Sequence, residues 1–137
     1  MSQTNELEIM ERIALDLGGV EESLASSFNT GAEDFNALIR PLSAAGGKRL
    51  RAQLCLLIAN AGTSVERQRI RIAEAVEMLH LATLIHDDVL DQAEIRRGED
   101  TIHMHKGNKV AILSGDYLFA KAFQIVSEMP NMKYLQI

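Results

Sequence analysis

The residues best suited to chemistry lie in one short segment, where three aspartates close an apolar helical run. These are Asp87, Asp88 and Asp91, and His80 precedes them by two helical turns. At about 100° per residue, Asp91 lies roughly 40° around a helix from Asp87, and His80 lies roughly 20° from Asp87 on the other side. The spacing therefore places His80, Asp87 and Asp91 on one helix face, with Asp88 at its edge.

Carboxylates in this arrangement favour a bound cation. Carboxylates one turn apart repel each other, and acids near the C-terminus of a helix oppose its dipole. Mg²⁺ offsets both effects, because it binds through one or two carboxylates together with phosphate oxygens and water. The alternative is a solvated acidic helix end. The metal interpretation is favoured because apolar residues of the same segment predict a packed helix. These apolar residues are Leu79, Leu81, Leu84, Ile85, Val89 and Leu90.

A basic cluster follows a glycine pair at the predicted start of a helix. Lys48, Arg49 and Arg51 come directly after Gly46-Gly47. Cations at a helix N-terminus oppose its dipole, so they are poorly explained as helix stabilisers. The backbone amides of such an end favour an anion, and added cations suit a phosphate or diphosphate. The alternative is that the glycines merely turn the chain and the cations are solvated.

A second basic pair, Arg96 and Arg97, begins five residues beyond Asp91. Taken alone, it favours salt bridges to Glu94 or Glu99. Taken together, the acidic cluster and the two basic clusters match ligands that carry diphosphate groups. They suggest two diphosphate substrates, one chelated through a metal and one held directly by lysine and arginine.

Helices are predicted for nearly the whole chain, so the predicted fold class is all-α. The first helix is expected to stop at Gly18-Gly19, and Thr63 with Glu66 has the spacing of a capping box. Residues 91–108 are predicted to form a polar connection, and no alternating strand pattern is visible. The predicted helices span residues 3–17, 20–28, 33–43, 48–60, 64–90 and 109–128.

Composition predicts a single domain over residues 1–137. The chain has 137 residues with 47% hydrophobic content, and its net charge of −5 argues against nucleic acid as the main partner. A lone cysteine, Cys55, lies in an apolar run, which fits a core position and a reducing compartment. The N-terminus is polar and no apolar run approaches the ~20 residues that span a bilayer. A cytoplasmic protein without a transmembrane segment is expected.

Four segments together resemble the N-terminal half of the all-trans polyprenyl diphosphate synthases. They are GGKRLR (46–51), LIHDDVLD (84–91), RRG (96–98) and GNKVAILSGDYLFAKAF (107–123). The resemblance covers roughly residues 40–128 and depends on the combination, because DDxxD alone is a weak signal. It implies an antiparallel helical bundle of the isoprenoid synthase type, here truncated to about half the bundle.

The resemblance also implies roles for individual residues. Asp87 and Asp91, supported by Asp88, become the catalytic aspartates that hold Mg²⁺ for the allylic diphosphate, and Arg96 contacts that diphosphate itself. The implied reaction is ionisation of the allylic diphosphate, followed by attack of the isopentenyl double bond. The basic residues implied for the isopentenyl diphosphate site are Lys48, Arg51, His80 and Arg97, with Arg49 in the same cluster.

Small residues beneath the aspartates bear on product length. In the resembled family, bulky aromatic residues at the positions of Ala82 and Thr83 stop chain growth early. The small residues here resemble the longer-chain enzymes and imply a product of medium or long chain. The alternative is ordinary helix packing of two small residues.

Two departures from the family pattern matter. Ala52 stands where the family usually has proline, and the chain is about half as long as the family's fold, so the second aspartate-rich motif is absent from this sequence. The ending NMKYLQI resembles the start of an interrupted helix. We therefore expect a fragment or a shortened paralogue, incomplete or inactive alone, which forms a homo-oligomer or a heteromer with another synthase chain.

Two other functions are compatible with parts of this sequence. The first is a non-catalytic or partner subunit of a heteromeric prenyl synthase, against which the intact aspartate motif argues mildly. The second is an all-α metal phosphohydrolase, suggested by the His86-Asp87 doublet. This interpretation leaves both basic clusters unexplained. His103 and His105 are a weak transition-metal signal without a third ligand, so a structural role in the loop is favoured.

Overall fold

Helices make up most of the described chain, which confirms the all-α prediction. The computed structural model describes residues 3–44, 47–62 and 65–130. A pair of two-residue strands, β1 (Ile95–Arg96) and β2 (Glu99–Asp100), pairs antiparallel between the fourth and fifth helices. The helices are α1 (Gln3–Ser27), α2 (Glu33–Ala44), α3 (Leu50–Asn60), α4 (Glu66–Leu90), α5 (Ile102–Lys106) and α6 (Asn108–Ser127).

The central element of this helical bundle is α4, which packs against α1, α3 and α6. Its interior face carries small residues such as Ala73 and Ala82, which let neighbouring helices approach closely. Met78 and Ile85 fill the space between them, and Leu118 of α6 is fully buried in the same core. Burial of such side chains contributes about 25 cal/mol per Å² of apolar surface. The bundle therefore holds α4, and the aspartates at its end, in a fixed position.

The glycine pair in α1 does not end the helix, so this boundary prediction was wrong. The helix is tied to α4 on both sides of the pair. Before it, Arg69 Nε lies 3.0 Å from Asp16 Oδ2, and after it, Ser23 Oγ donates to Glu74 Oε2 over 2.6 Å. A Cβ at Gly19 would lie 2.7 Å from Ile70 Cδ1, so the glycine permits a close helix crossing. Tertiary packing outweighs the roughly 1 kcal/mol by which glycine disfavours a helix.

The segment predicted as a polar connection is more ordered than expected. The strands β1 and β2 are joined by Arg97 and Gly98, which both have positive φ, as a type I′ hairpin turn requires. The carbonyl of Ala93 then accepts hydrogen bonds from Thr101 Oγ1 at 2.8 Å and from His103 at 2.7 Å. The expectation that no strand forms was wrong here, and the structural role favoured for His103 agrees with this contact.

Other boundaries lie close to the predicted ones. The third helix begins at Leu50 rather than Lys48, because Arg49 adopts a left-handed backbone conformation. Several predictions fall outside the described residues, namely the Thr63–Glu66 capping box, Gly46 and the ending NMKYLQI.

One described helix, α6, is long and apolar enough to cross a membrane when judged by length and composition alone. A core helix passes the same test, and α6 packs on α4 through buried residues that include Ala111, Leu118 and Ile125. The sequence had indicated that no apolar run approaches the length needed to span a bilayer. By length and composition, α6 does reach it, so that expectation was wrong.

Candidate functional site

A cavity of about 370 Å³ brings the basic residues together. Its wall is built by α2, the start of α3, the second half of α4, and the segment from β1 to α5. Asp88 also lines the cavity, whereas Asp87 and Asp91 do not. All six residues predicted to bind substrate line it, and they are Lys48, Arg49, Arg51, His80, Arg96 and Arg97.

Sequence reasoning missed part of this wall. Glu77, a buried acid one turn before His80, reaches the cavity, and so does His105 of α5. An apolar side is also present, for which helical periodicity gave only a general core signal. It is formed by Ala37, Leu38, Leu42, Leu81, Leu84 and Ile85.

Arg49 is buried between two carboxylates. Its Nε donates to Glu21 Oε1 at 2.6 Å, its Nη2 donates to Glu21 Oε2 at 3.1 Å, and its Nη1 lies 3.4 Å from Glu77 Oε2. Burial alone would lower the pKa of Arg49, but the hydrogen bonds and charges of Glu21 and Glu77 outweigh it and raise that pKa. The guanidinium therefore ties the start of α3 to α1 and α4.

Arg51 and His80 form the next contact, with 3.1 Å between Nη1 and Nε2. Arginine has donors only, so the contact requires an unprotonated Nε2 on the imidazole. Burial of the ring, followed by the charge of Arg51, lowers the pKa of His80 below its ordinary value. The histidine is thus suited to accept the arginine's hydrogen bond and to hold that cation at the cavity.

Arg96 pairs with Asp88, the buried member of the three aspartates. Its Nε lies 2.8 and 2.9 Å from the two carboxylate oxygens of Asp88. The pKa of Arg96 is raised, chiefly by this hydrogen bond and also by the charges of Asp87 and Asp91. The sequence of the basic pair alone had favoured a salt bridge from Arg96 to Glu94 or Glu99. That prediction was wrong, because the partner of Arg96 is Asp88 on α4.

Asp87 and Asp91 are exposed where α4 ends. Among the described residues, no hydrogen bond or ion pair holds either carboxylate. The backbone N–H of Asp91 donates to the Asp87 carbonyl at 2.8 Å, as at the end of a helix. Their oxygens are hard donors of the kind Mg²⁺ takes, leaving its other positions for phosphate and water. Across the described ranges, no group of three or more histidine, cysteine or acidic side chains could enclose a metal alone. An ion held by Asp87 and Asp91 would therefore need further ligands besides the described side chains.

His86 contacts α6 rather than a metal cluster. Its Nε2 lies 3.0 Å from the Ile112 carbonyl oxygen and 3.4 Å from Asp116 Oδ1. A Cβ at Gly115 would lie only 2.2 Å from the same nitrogen, so the glycine makes room for the ring. These contacts explain His86 as a packing residue and give the phosphohydrolase alternative no support.

The two small residues discussed for product length lie on different faces. Ala82 is fully buried, whereas Thr83 is exposed and its hydroxyl donates to the His80 carbonyl at 2.7 Å. Neither residue lines the cavity. Their role as the floor of a product pocket stays a prediction.

Comparison with known proteins places these features in a family. The profile of the family described as Polyprenyl synthetase matches residues 32–137. The octaprenyl diphosphate synthase of Escherichia coli (strain K12) is 33% identical over 130 residues, covering 95% of this chain and 40% of that protein. Heptaprenyl diphosphate synthase component 2 of Geobacillus stearothermophilus is 38% identical over 123 residues, covering 89% of this chain and 38% of that protein.

Solved structures agree with this assignment. The polyprenyl synthase from Caulobacter crescentus CB15, complexed with calcium and isoprenyl diphosphate, matches with a TM-score of 0.84 and 37% identity. The match covers 92% of this chain and 40% of that one. The chain thus spans about 40% of the length of the E. coli relative and of this structure. On the family profile, the sequence relatives and the shared helical bundle, the chain belongs to the polyprenyl synthetase family.

Proposed function

We propose that this chain acts in a trans-prenyltransferase, a polyprenyl diphosphate synthase that condenses an allylic diphosphate with isopentenyl diphosphate. One observation carries the proposal. The basic residues of two distant sequence segments line a single cavity, and the aspartates that end α4 lie beside it, with Asp88 in its wall.

The cavity is suited to the diphosphate of isopentenyl diphosphate. Lys48 and Arg51 approach it from the start of α3, and Arg97 approaches from the hairpin loop. A side chain on Gly47 would place its Cβ 3.1 Å from Arg97 Nη2, so the two basic segments lie side by side. Cations grouped in this way bind diphosphate oxygens directly, through charge-assisted hydrogen bonds.

The allylic diphosphate is assigned to the exposed aspartates, with Mg²⁺ held by Asp87 and Asp91. When bound, the metal supplies positive charge that stabilises the departing diphosphate. The Caulobacter relative, whose crystals contain calcium and isoprenyl diphosphate, supports a site that combines a divalent cation with this ligand class. Arg96 adds a fixed cation next to the same site, because Asp88 holds its guanidinium.

The reaction requires little covalent chemistry from the protein. The allylic C–O bond breaks and its electron pair leaves with the diphosphate, the isopentenyl double bond attacks the resulting cation, and a proton is lost from the adduct. Fixed cations aimed at a leaving group that gains charge stabilise the transition state. The apolar side of the cavity, which includes Leu81, Leu84 and Ile85, would keep water away from the allylic cation.

We also propose that the chain associates with another helical chain, which is either a second copy of itself or another synthase chain. Helix α3 exposes four large apolar residues along one stripe, the first of which also lines the cavity, and isolated domains seldom expose such surfaces. The Geobacillus relative is named as one component of its synthase, which favours a heteromer. The stripe consists of Leu50, Leu54, Leu57 and Ile58, with exposed fractions of 64, 57, 47 and 67%.

The partner proposal is tested by sedimentation of the wild-type chain and the Leu57→Glu variant. We expect the wild type to associate and the variant to sediment as a monomer. A well-folded wild-type monomer would exclude a second copy as the partner, and a wild-type monomer that also co-purifies with no other synthase chain would refute the proposal. We assign the assembly to the cytoplasm.

The activity is tested by incorporation of labelled isopentenyl diphosphate into an allylic diphosphate in the presence of Mg²⁺, with any co-purifying chain retained. The assay compares the wild-type chain with Asp87→Ala and with Glu11→Ala, which removes an exposed acid on α1. We expect turnover in the wild type and in Glu11→Ala, and loss of turnover in Asp87→Ala. Equal turnover in the wild type and Asp87→Ala would favour the non-catalytic subunit instead, with catalysis located on the partner.

A further inference from the structure

The start of α3 has an unusual backbone conformation and no capping side chain of its own among the described residues. Arg49, the residue that precedes the helix, has φ 46° and ψ 38°, and its side chain forms no capping hydrogen bond. Left-handed residues other than glycine cost roughly 1–2 kcal/mol and persist where surrounding structure holds them. The adjacent Lys48 and Arg51 line the cavity, so the position of these cations depends on whatever holds Arg49.

Glu77 of α4 holds this backbone from outside the segment. Its Oε1 accepts the backbone N–H of Ala52 at 3.0 Å. Ala52 is the third residue of α3, and its N–H is one of those that a capping side chain normally satisfies. The other oxygen, Oε2, lies 3.4 Å from Arg49 Nη1. Glu77 therefore serves as the N-cap of α3 supplied by another helix, and it also pairs with the side chain of the residue at the capping position.

The turn of α4 that contains Glu77 also contacts Arg51, the next cation along α3. His80 follows Glu77 by three residues on α4, and its Nε2 contacts Arg51 Nη1 at 3.1 Å. Glu77 is only 3% exposed, and both of its oxygens have partners. A carboxylate would repel a diphosphate, so its presence in the wall of a cationic cavity is explained by orientation of its neighbours rather than by ligand contact.

We propose that Glu77 is the positioning residue for the diphosphate held in this cavity, acting by fixing the start of α3 so that Lys48 and Arg51 meet the ligand together. This inference rests on the proposed function, because it deepens the description of the same anion site. It adds a role for a residue that neither contacts the diphosphate nor takes part in the chemistry.

The test is calorimetric titration of the whole chain with inorganic pyrophosphate. The variant is Glu77→Gln, which keeps an oxygen for the Ala52 N–H but removes one of the two carboxylate charges beside Arg49, while the hydrogen bonds from Arg49 to Glu21 remain. The matched control is Glu74→Gln, one turn earlier on α4 and fully buried, where the carboxylate binds Ser23 and Ser27 of α1 and does not line the cavity.

We expect Glu77→Gln to weaken pyrophosphate binding about tenfold, equivalent to about 1.4 kcal/mol, and Glu74→Gln to lower the melting temperature while leaving the dissociation constant within about twofold. Glu77→Asp keeps the charge but is one methylene shorter, so we expect binding about threefold weaker. This variant carries the test if Glu77→Gln does not fold.

Each remaining outcome overturns a distinct claim. A wild-type chain that does not bind pyrophosphate overturns both the proposed anion site and this inference. Wild-type binding that survives unchanged in Glu77→Gln and Glu77→Asp, or that falls equally in Glu74→Gln, overturns the positioning role alone.

Discussion

Arg96 and Asp88 form a close ion pair, in which Arg96 Nη2 lies 2.6 Å from Asp88 Oδ1. Asp88 is 4% exposed, whereas its neighbour Asp87 is open to solvent. The three aspartates thus divide into one that orients an arginine and two that are available to a metal. The sequence predicted all three as catalytic by resemblance, and their different surroundings indicate that their substitutions should differ.

The first prediction concerns the stability of the Asp88 pair. Asp88→Asn removes the charge from a nearly buried partner of Arg96, so we expect the free energy of unfolding to fall by about 1–3 kcal/mol. Asp87→Asn removes an exposed carboxylate that repels Asp91, so its effect should stay within about 0.5 kcal/mol. Urea denaturation of the two variants measures the difference, and equal losses would contradict the assigned roles.

The second prediction concerns the close approach of α4 and α6. Gly115→Ala would place a methyl group 2.2 Å from His86 Nε2, so the ring must move, and we expect a loss of about 1–3 kcal/mol. The control is Gly18→Ala in α1, where the new methyl group would meet no atom within 4 Å other than those of its chain neighbours and its own helix backbone. There we expect a gain of about 0.5–1 kcal/mol.

A double variant makes this prediction more specific. Truncating the ring with His86→Ala removes the atom that the new methyl group would meet. Gly115→Ala should then cost little when it is added to His86→Ala. Thermal denaturation of the four proteins in this cycle measures the coupling. Strictly additive losses would show that the ring is not what restricts position 115.

The third prediction concerns the pH dependence of stability. The pKa of His80 lies below its ordinary value of 6.5, because of burial and then the charge of Arg51. The unfolded chain therefore takes up this proton first as the pH falls. The stabilising contribution is complete above about pH 6.5 and is lost as the pH decreases towards the folded-state pKa.

The matched variant for this prediction is His80→Gln, which retains an oxygen that can accept from Arg51 but does not titrate. Melting curves recorded from pH 7.5 to pH 5 should show a smaller loss of stability in the variant than in the wild type. Identical losses would mean that His80 does not titrate with a lowered pKa.

The sequence predicted the helices well where long periodic patterns determine them. The end of α4 at Leu90 matched, because the apolar stripe stops there and polar residues follow. The stop at Gly18-Gly19 failed because helix propensity is weak compared with the contacts of Asp16 and Ser23 to α4. The two-residue strands are too short to produce any pattern in the sequence.

The sequence predicted which residues make up the site, but not which of the aspartates is buried and which are exposed. The motifs identified the cations that line the cavity, yet which aspartate is buried depends on how α4 is rotated against the hairpin, and a single sequence does not specify this. Glu77 was missed because an acid within a helix usually indicates a solvated face. Its place one turn before His80, within an apolar stretch, was the available signal.

We propose that Asp87 and Asp91 form a metal-dependent diphosphate site that adjoins the cationic cavity but binds its ligand independently of Arg51. The most direct measurement is calorimetric binding of an allylic diphosphate with and without Mg²⁺, in the wild type, in Asp87→Ala and in Arg51→Gln. We predict that Mg²⁺ tightens binding about tenfold in the wild type and in Arg51→Gln, and that this effect disappears in Asp87→Ala. A Mg²⁺ effect that persists in Asp87→Ala would contradict the claim.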